Sequence, residues 1–424
     1  MKIFRDPIHN VIDLDTGDKD VNRLIIQLID SVEFQRLRFI RQLGFVYLAY
    51  PSATHTRFEH SIGVAFLAKR FIDKIISVEE RVLSVYGASG RHVLANFFWQ
   101  IKQDRCLTIV AALLHDIGHG AFSHVFEDIT GTSHEQWTRE IILGDTSVNA
   151  LLKAYDADYP QKICNLLINP DKSTPSAQII AGQMDIDKID YLLRDSHMTG
   201  SGYGKFDVEW LFNVLTVGLV NGRAEIGLDE GKGGSLAEDF VMARIYMFKN
   251  IYLHKTSQVA QAMLKLLIKA MPTRLEPMND SIYKLLFHEH APPGSLLAEY
   301  LSVSDIDMLH FLKTLAGTDD EVLSGLAGGI VNRNLFKRVG EQQWHETKKI
   351  ITEEKGSQTA EFYLATFDLN NKKEKMICHP EKENIFLFNK CGECSGLFEK
   401  SSILPTTIQE GIFPTEYYVD RRFT

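Results

Sequence analysis

Residues 111–120 read Ala-Ala-Leu-Leu-His-Asp-Ile-Gly-His-Gly, so an apolar run ends abruptly in His115 and Asp116. Apolar residues from 107 to 114 recur at helical spacing, and the glycines that follow predict the end of that helix. His115 and Asp116 are therefore expected on the last turn of a buried helix. A buried carboxylate is costly without a partner, and a neutral imidazole beside it suits a divalent cation. The stretch predicts either a metal site or a core histidine bonded to a backbone carbonyl.

Two other segments carry the same residue types and favour the metal site. Residues 55–60 read His-Thr-Arg-Phe-Glu-His, and residues 185–191 read Asp-Ile-Asp-Lys-Ile-Asp-Tyr. The ordered set, a histidine, then His-Asp, then an aspartate, resembles the HD superfamily of metal-dependent phosphohydrolases. This resemblance implies a helical core built around a metal centre.

The composition is that of a soluble globular protein. The chain has 424 residues, of which 45% are hydrophobic and 24% are charged, enough for a large core and more than one domain. Its net charge of −9 predicts no general attraction to nucleic acid or to membranes. No apolar run reaches the roughly 20 residues that span a bilayer, and the N-terminus lacks a signal-peptide pattern. We expect a cytoplasmic protein.

Five scattered cysteines fit a reducing compartment better than a disulfide scaffold. Cys391 and Cys394 form a CxxC segment, with Cys378 upstream. One interpretation is a zinc site. The other is a hairpin turn, because residues 389–392 are rich in turn formers and lie between two apolar stretches.

Hydrophobic periodicity predicts long helices through most of the chain. We expect them at residues 21–43, with a break near Asp30, and at 60–76, 92–116, 176–196 and 235–270, with a loop at 117–131. Asp30 and Glu33 stand at capping-box spacing, as do Ser235 and Glu238, and each pair predicts a helix start. The last helix is expected to stop before Pro272, which lacks the N–H that a helix interior requires.

Strand patterns occur in fewer places. Residues 216–230 predict a hairpin with an Asn-Gly turn, and alternating segments at 361–367 and 384–388 predict strands. We therefore expect a mainly α protein in two parts. An HD-domain helical core with a short N-terminal arm would span residues 1–330, and a smaller α+β region would span 331–424.

Further segments narrow the resemblance. They read FQRLR at 34–38, QLG at 42–44, TRFEHSIGV at 56–64, LHDIGHGAFSH at 114–124, TSHEQ at 132–136 and DIDKIDYLLRD at 185–195. Together they are similar to the HD-domain deoxynucleoside triphosphate (dNTP) triphosphohydrolases, the branch that holds the vertebrate SAM-and-HD-domain enzyme and bacterial dGTPase-like proteins. The likeness covers about residues 1–260 well and is thinner to about 340.

The resemblance implies one divalent metal ion with four protein ligands: His60, His115, Asp116 and Asp187. Mixed nitrogen and oxygen ligation fits Mn, Fe, Mg, Zn or Ni and leaves positions for water and a phosphate oxygen. Asp185 competes with Asp187, which fits better because the family's metal aspartate is followed by Lys-x-Asp-Tyr, as here. A second ion, Mg²⁺, would enter with the nucleotide phosphates.

The resemblance also implies catalytic residues. His119, His124 and His134 would surround the phosphates, and one of them would give a proton to the leaving oxygen. Glu127 would orient His124, although the family carries aspartate at that position. Arg57 would clamp a phosphate with its guanidinium fork, its alternative being a structural ion pair.

Six further residues are implied as nucleotide contacts: Gln42, Leu43, Lys188, Tyr191, Asp195 and Lys255. Tyr191 would pack on the deoxyribose and leave no room for a 2′-hydroxyl, and Asp195 would accept a hydrogen bond from the 3′-hydroxyl. Lys188 would add a point charge near the phosphates. The alternatives are a core aromatic for Tyr191 and a surface residue for Lys188. The segment around Lys255 departs from the family pattern, which leaves the base specificity open.

We predict an enzyme that hydrolyses a dNTP to deoxynucleoside and triphosphate. The alternatives are an HD hydrolase of another nucleotide phosphoester (an NTP, a nucleoside monophosphate or a cyclic nucleotide) and a non-enzymatic protein that binds nucleotides or RNA.

The helix at 236–270 is apolar on more than one face. It predicts either burial against the hairpin or a symmetric partner, giving a homodimer or a dimer of dimers.

Overall fold

The computed structural model describes residues 2–171, 173–275, 280–287, 292–367, 384–404 and 415–424, and most of them are helical. The helices of the first half are α1 (Lys19–Asp30), α2 (Val32–Gln35), α3 (Arg57–Ser77), α4 (Glu79–Val85), α5 (Ala88–Gln103), α6 (Arg105–Leu114), α7 (His124–Thr130), α8 (His134–Leu143), α9 (Ser147–Tyr155), α10 (Tyr159–Ile168), α11 (Pro175–Ala181), α12 (Ile186–Thr199) and α13 (Val208–Val214). Those of the second half are α14 (Glu230–Met247), α15 (Lys255–Arg274), α16 (Ser281–Phe287), α17 (Leu297–Ser302), α18 (Asp305–Ala316), α19 (Glu321–Val331), α20 (Glu341–Lys355), α21 (Ser357–Ala360) and α22 (Leu397–Lys400). In the described parts of the chain, no helix has the length and apolar character needed to cross a bilayer.

Short strands complete the fold and confirm a mainly α protein with a small α+β region. They are β1 (Ile3–Asp6), β2 (Asn10–Asp13), β3 (Leu215–Val220), β4 (Arg223–Asp229), β5 (Lys337–Val339), β6 (Leu364–Phe367), β7 (Phe386–Phe388), β8 (Cys394–Gly396) and β9 (Glu416–Val419). They pair as β1-β2, β3-β4-β7-β8 and β5-β9-β6. The predicted hairpin at 216–230 is confirmed, and Asn221 and Gly222 have the positive φ values that its tight turn requires.

Helix α3 lies at the centre of the first hydrophobic core, against α6 and α12. It begins at Arg57 rather than at the predicted His60, because Glu59 accepts a hydrogen bond from the Thr56 N–H at 2.6 Å and closes a capping box. On α6, residues 108–114 are at most 1% exposed. His115 and Asp116 directly follow the end of α6, and they therefore lie where the core meets the edge of a cleft.

Two of the predicted helices are interrupted. Asp104 separates α5 from α6 within the predicted helix at 92–116. The break expected near Asp30 is confirmed, because α1 ends at Asp30. Ser31 rather than Asp30 caps α2, so the capping box assigned to Asp30 and Glu33 is wrong. Glu33 instead accepts a hydrogen bond from the Ser147 N–H.

The prediction for residues 235–270 is wrong in three respects. The helix begins at Glu230, so Ser235 lies inside it and caps nothing. A π-helical turn over Phe248–Tyr252 separates α14 from α15. Helix α15 continues through Pro272 and ends two residues later, at Arg274.

The loop expected at 117–131 also contains a helix, α7.

Strands β7 and β8 confirm the hairpin interpretation of the CxxC segment. The Asn389 side chain accepts a hydrogen bond from the Cys391 N–H at 2.9 Å, and Gly392 has a φ of +81°. Cys391 and Cys394 are exposed free thiols, and Cys378 lies outside the described residues.

A second hydrophobic core joins α15 to α16–α20 and to β6 and β9. It contains Leu326 and Leu335, on either side of the boundary expected near residue 330. Strand β7 also pairs with β4, so the C-terminal region contributes to the hairpin sheet. The division at residue 330 stays a prediction.

Candidate active site

Three of the predicted metal ligands meet where α3, α6 and α12 come together. The Nε2 atom of His60 lies 3.1 Å from Asp187 Oδ1 and 3.3 Å from His115 Nε2, and His115 Nε2 lies 3.5 Å from the same Asp187 oxygen. His115 Nδ1 bonds to the Ala112 carbonyl at 2.8 Å, which leaves its Nε2 lone pair for a ligand. The structure therefore shows the bond to a backbone carbonyl, and this bond is compatible with a metal ligand at Nε2.

Asp116 completes the set of four. Its carboxylate oxygens lie 3.5 Å from His60 Nε2 and 3.4 Å from His115 Nε2. Burial works against ionisation of this carboxyl, but the charges of Arg57 and His115 hold its pKa well below the usual value. A buried, ionised carboxylate beside two imidazoles is a suitable donor set for a divalent cation.

The charge balance around His60 favours a cation. Burial alone would lower the pKa of His60, but hydrogen bonds to Asp187 and Asp190 raise it to about 10. The site therefore attracts positive charge, which a metal ion bound at the Nε2 atoms would supply in place of protons. Asp185 does not face this centre, because its carboxylate caps α12 and accepts from the Lys188 N–H at 2.7 Å. The geometry agrees with the preference for Asp187.

Sequence reasoning missed the groups that hold His60 in place. The Nδ1 of His60 lies 2.8 Å from Asp190 Oδ2, and the other oxygen of Asp190 lies 2.6 Å from His9 Nε2. Arg194 donates to both Asp190 oxygens, at 2.8 and 3.0 Å, and to Asp6 at 2.7 Å. Such outer partners orient a ligating imidazole and fix its tautomer.

Gly63 makes this approach of α3 to α12 possible. A Cβ atom at this position would lie 2.1 Å from Asp190 Oδ1 and 2.6 Å from the Arg194 guanidinium. The only signals in the sequence were the i, i+4 spacing of Asp190 and Arg194 and a lone His9 in the N-terminal arm.

A second cluster lies beside the metal centre. His124 Nδ1, His134 Nδ1 and His119 Nδ1 lie 2.8, 3.0 and 3.5 Å from Glu127 Oε1. Burial works against ionisation of Glu127, but hydrogen bonds from His124 and His134 lower its pKa below the usual value. Burial and the charge of Arg57 hold the pKa of His119 well below its usual value, so this ring is neutral.

Arg57 makes a structural ion pair and also faces the cleft. It donates to Asp116 and, at 2.8 Å, to Ser123 Oγ. Phe122 and Ser123 both have positive φ, a backbone conformation that residues other than glycine rarely adopt. Asp305, at the start of α18, accepts a hydrogen bond from the Phe122 N–H at 2.7 Å and supports this turn.

A cavity of about 1210 Å³ connects the two clusters. Eleven predicted site residues line it: Gln42, Leu43, Arg57, His115, Asp116, His119, His124, His134, Asp187, Tyr191 and Asp195. Two predicted contacts lie elsewhere. Lys188 bonds to Asp185 and to the Gly182 carbonyl, and Lys255 lines a separate cleft with Arg333 and Lys337.

The far side of the cavity is formed by Tyr191, Asp195 and Tyr252. The two carboxylate oxygens of Asp195 already have partners, His55 Nε2 at 2.7 Å and the Tyr252 hydroxyl at 2.8 Å. Tyr191 and Tyr252 meet edge to face with ring centroids 6.1 Å apart. Sequence reasoning named His55 within the segment 55–60 but missed its contact with Asp195, behind which the structure buries it.

Comparison with known proteins gives four consistent similarities. The family model of the HD domain matches residues 57–195. The uncharacterized protein YwfO of Bacillus subtilis is 33% identical over 346 residues, which cover 80% of this chain and 72% of that protein. The zebrafish (Danio rerio) deoxynucleoside triphosphate triphosphohydrolase SAMHD1 is 27% identical over 393 residues, which cover 84% of this chain and 58% of that protein. The crystal structure of a phosphohydrolase from Bacteroides thetaiotaomicron has a TM-score of 0.78 and 26% identity, with 99% of this chain and 100% of that chain covered.

Proposed function

The chain belongs to the HD-domain family of phosphohydrolases, and we propose that it cleaves dNTPs into deoxynucleoside and triphosphate. One observation carries the proposal. A single cavity is lined by three of the candidate metal ligands, with His60 beside them, by a cluster of histidines, and by an aromatic and acidic end at Tyr191 and Asp195. The similarity to SAMHD1 supplies the substrate class.

His60, His115, Asp116 and Asp187 would hold the divalent cation, which when bound activates water and polarises a phosphoryl oxygen. Arg57 adds a fixed positive charge on the same wall of the cavity. Its guanidinium is held by Asp116 and Ser123, so it needs no reorganisation when the negatively charged phosphates enter.

A histidine of the second cluster completes the reaction. Water adds to the α-phosphorus, the bond from that phosphorus to O5′ breaks, and O5′ takes a proton. His124 fits the donor role, because its Nδ1 is bonded to Glu127 and its side chain is 66% exposed. His119 is buried and neutral, which suits it to positioning rather than proton donation.

At the other end, Tyr191 would pack against the sugar and exclude a 2′-hydroxyl. Asp195 would meet the 3′-hydroxyl, exchanging one of its present bonds, to His55 or Tyr252, for the new one. Gln42 and Leu43 also line the cavity and would lie near the sugar and base.

A metal-by-substrate screen tests the proposal. Purified protein is incubated with each dNTP and NTP in the presence of Mn²⁺, Mg²⁺, Fe²⁺ or Ni²⁺, and the products are separated by chromatography. Release of triphosphate from dNTPs is the expected result. Release of orthophosphate or pyrophosphate would indicate another nucleotide phosphoester reaction, and tight nucleotide binding without turnover would indicate a sensor.

The sugar contact gives a second prediction. Tyr191→Ala should reduce the ratio of kcat/KM for dNTP to that for NTP by about tenfold, or about 1.4 kcal/mol, because the ring no longer fills the space beside C2′. Tyr191→Phe keeps the ring and should keep the ratio. An equal loss for both substrate classes in Tyr191→Ala would show that the ring only packs the core.

Assembly gives a third prediction. Met247 at the end of α14 and Ile251 in the π-helical turn after it are fully buried within the chain, so part of the apolar surface of this helical segment is covered internally. Tyr246 and Tyr203 remain 44% and 43% exposed on the same face, with rings 6.3 Å apart. We propose that this face joins two copies in a homodimer or a dimer of dimers without added nucleotide. Light scattering should give at least twice the 48.1 kDa of one chain, and a monomer under all conditions would refute the proposal.

A further inference from the structure

The oxygen Oε1 of Glu127 is the point on which three imidazoles converge. The Nδ1 atoms of His119, His124 and His134 lie within 3.5 Å of it, and all four ligand atoms lie within 4.8 Å of one another. In a tetrahedral site with metal–nitrogen bonds of about 2.0 Å, neighbouring ligand atoms stand roughly 3.3 Å apart. The spacing in this cluster is therefore close to that of an assembled metal site.

The same spacing occurs at the first centre, where the ligand atoms of His60, His115 and Asp187 are 3.1 to 3.5 Å apart. The two sets share no side chain. They are adjacent, because His119 turns its Nε2 towards Asp116 at 3.2 Å and its Nδ1 towards Glu127.

The unpartnered Nδ1 atom of His119 is the second observation, and it points to a ligand. Within the described residues, Nδ1 of this buried ring has no hydrogen-bond partner. A buried nitrogen without a hydrogen-bond partner is unfavourable, and a cation between it and the Glu127 carboxylate, 3.5 Å away, would give it one.

We propose that His119, His124, Glu127 and His134 form a second divalent-cation site, distinct from the ligand set on α3, α6 and α12. Three imidazoles and one carboxylate select borderline ions such as Zn²⁺ or Co²⁺ over Mg²⁺, which prefers oxygen ligands. This site therefore differs in its preferred ion from a site for the magnesium ion that would arrive with the nucleotide phosphates. His124 lies at its open edge, so an ion can enter directly from solvent.

Occupation of this site has a chemical consequence. An ion held by His124 and Glu127 takes the lone pair and the carboxylate that a proton donor there would use. The cation would therefore slow any hydrolysis that depends on this histidine. The binding itself does not rest on which ester the protein cleaves.

The test is a Co²⁺ titration of the metal-free full chain, without nucleotide, followed by calorimetry and by visible absorption. Wild-type protein is expected to bind two equivalents. His115→Ala should keep one, the His124→Ala, His134→Ala double variant should keep the other, and the triple variant should keep none. His345→Ala removes an exposed histidine on α20 and should still bind two.

The readout separates this proposal from the proposed function, because no substrate is present. A single equivalent in wild-type protein that disappears in His115→Ala would overturn the second site. So would a second equivalent that survives in the His124→Ala, His134→Ala variant. Misfolding is controlled by His124→Ala alone, since this side chain is mostly exposed, and by Glu127→Gln, which keeps the shape of the side chain. Each should weaken the second equivalent and leave the first unchanged.

Discussion

Replacing His115 by alanine is expected to remove one bound divalent cation per chain and to lower kcat/KM for hydrolysis at least about a thousandfold. That factor corresponds to about 4 kcal/mol of transition-state stabilisation, which is within the contribution of a metal that activates water and neutralises phosphoryl charge. The fold should survive, because apart from the metal cluster His115 bonds only to the Ala112 carbonyl of its own helix. Asp187→Ala should give the same result.

Elemental analysis, a thermal melt and an initial-rate assay together check this expectation, with His345→Ala as the matched histidine control. Asp116→Ala is a less clean variant. It would leave the Arg57 guanidinium, which is buried, without its carboxylate partner and so destabilise the fold as well. A His115→Ala, Asp187→Ala double variant that retains the wild-type metal stoichiometry would contradict the assigned ligands.

The candidate metal ligands could be predicted from the sequence chiefly because the ordered motifs that contain them resemble those of the HD superfamily. His115 and Asp116 also follow an apolar helix that ends at glycines, a local signal that the sequence shows directly. Helix ends are determined by a few neighbouring residues, so such positions can be read without knowing the fold.

The groups behind the ligands could not be predicted in this way. His9 lies in a turn between two short strands and meets Asp190, which is 181 residues away along the chain. His55 meets Asp195 across 140 residues. Neither histidine belongs to a periodic pattern, and only the packing of the N-terminal segments against α12 brings them to their partners.

The helix predicted at residues 235–270, observed as α14 and α15, shows tertiary structure overriding local preference. Nothing in residues 248–253 resembles a helix stop, yet the helix turns there. Two side-chain bonds hold the turn: the Tyr252 hydroxyl donates to Asp195, and the Gln258 amide donates to the Tyr252 carbonyl at 3.0 Å. After this break, Lys255 lines a different cleft. The nucleotide contact that the resemblance implies for Lys255 is therefore not found in the main cavity.

The ion pairs behind the metal centre should have the largest effect on stability. Arg194→Met is expected to lower the free energy of unfolding by about 3–5 kcal/mol. Arg194 is fully buried and donates to both oxygens of Asp190 and to Asp6, and methionine fills much of its volume without the charge. The cost comes from leaving two buried carboxylates without their cation.

Urea unfolding of the two proteins measures this difference, provided that the dependence of stability on denaturant is the same for both. Lys162→Met is the matched control. It removes a cation from an ion pair of 2.6 Å on the surface, where the lysine side chain is 50% exposed, and should cost no more than about 1 kcal/mol. If Arg194→Met were as mild as Lys162→Met, the buried network would not hold α12 against the N-terminal arm. Asp190 would then orient His60 without support from Arg194.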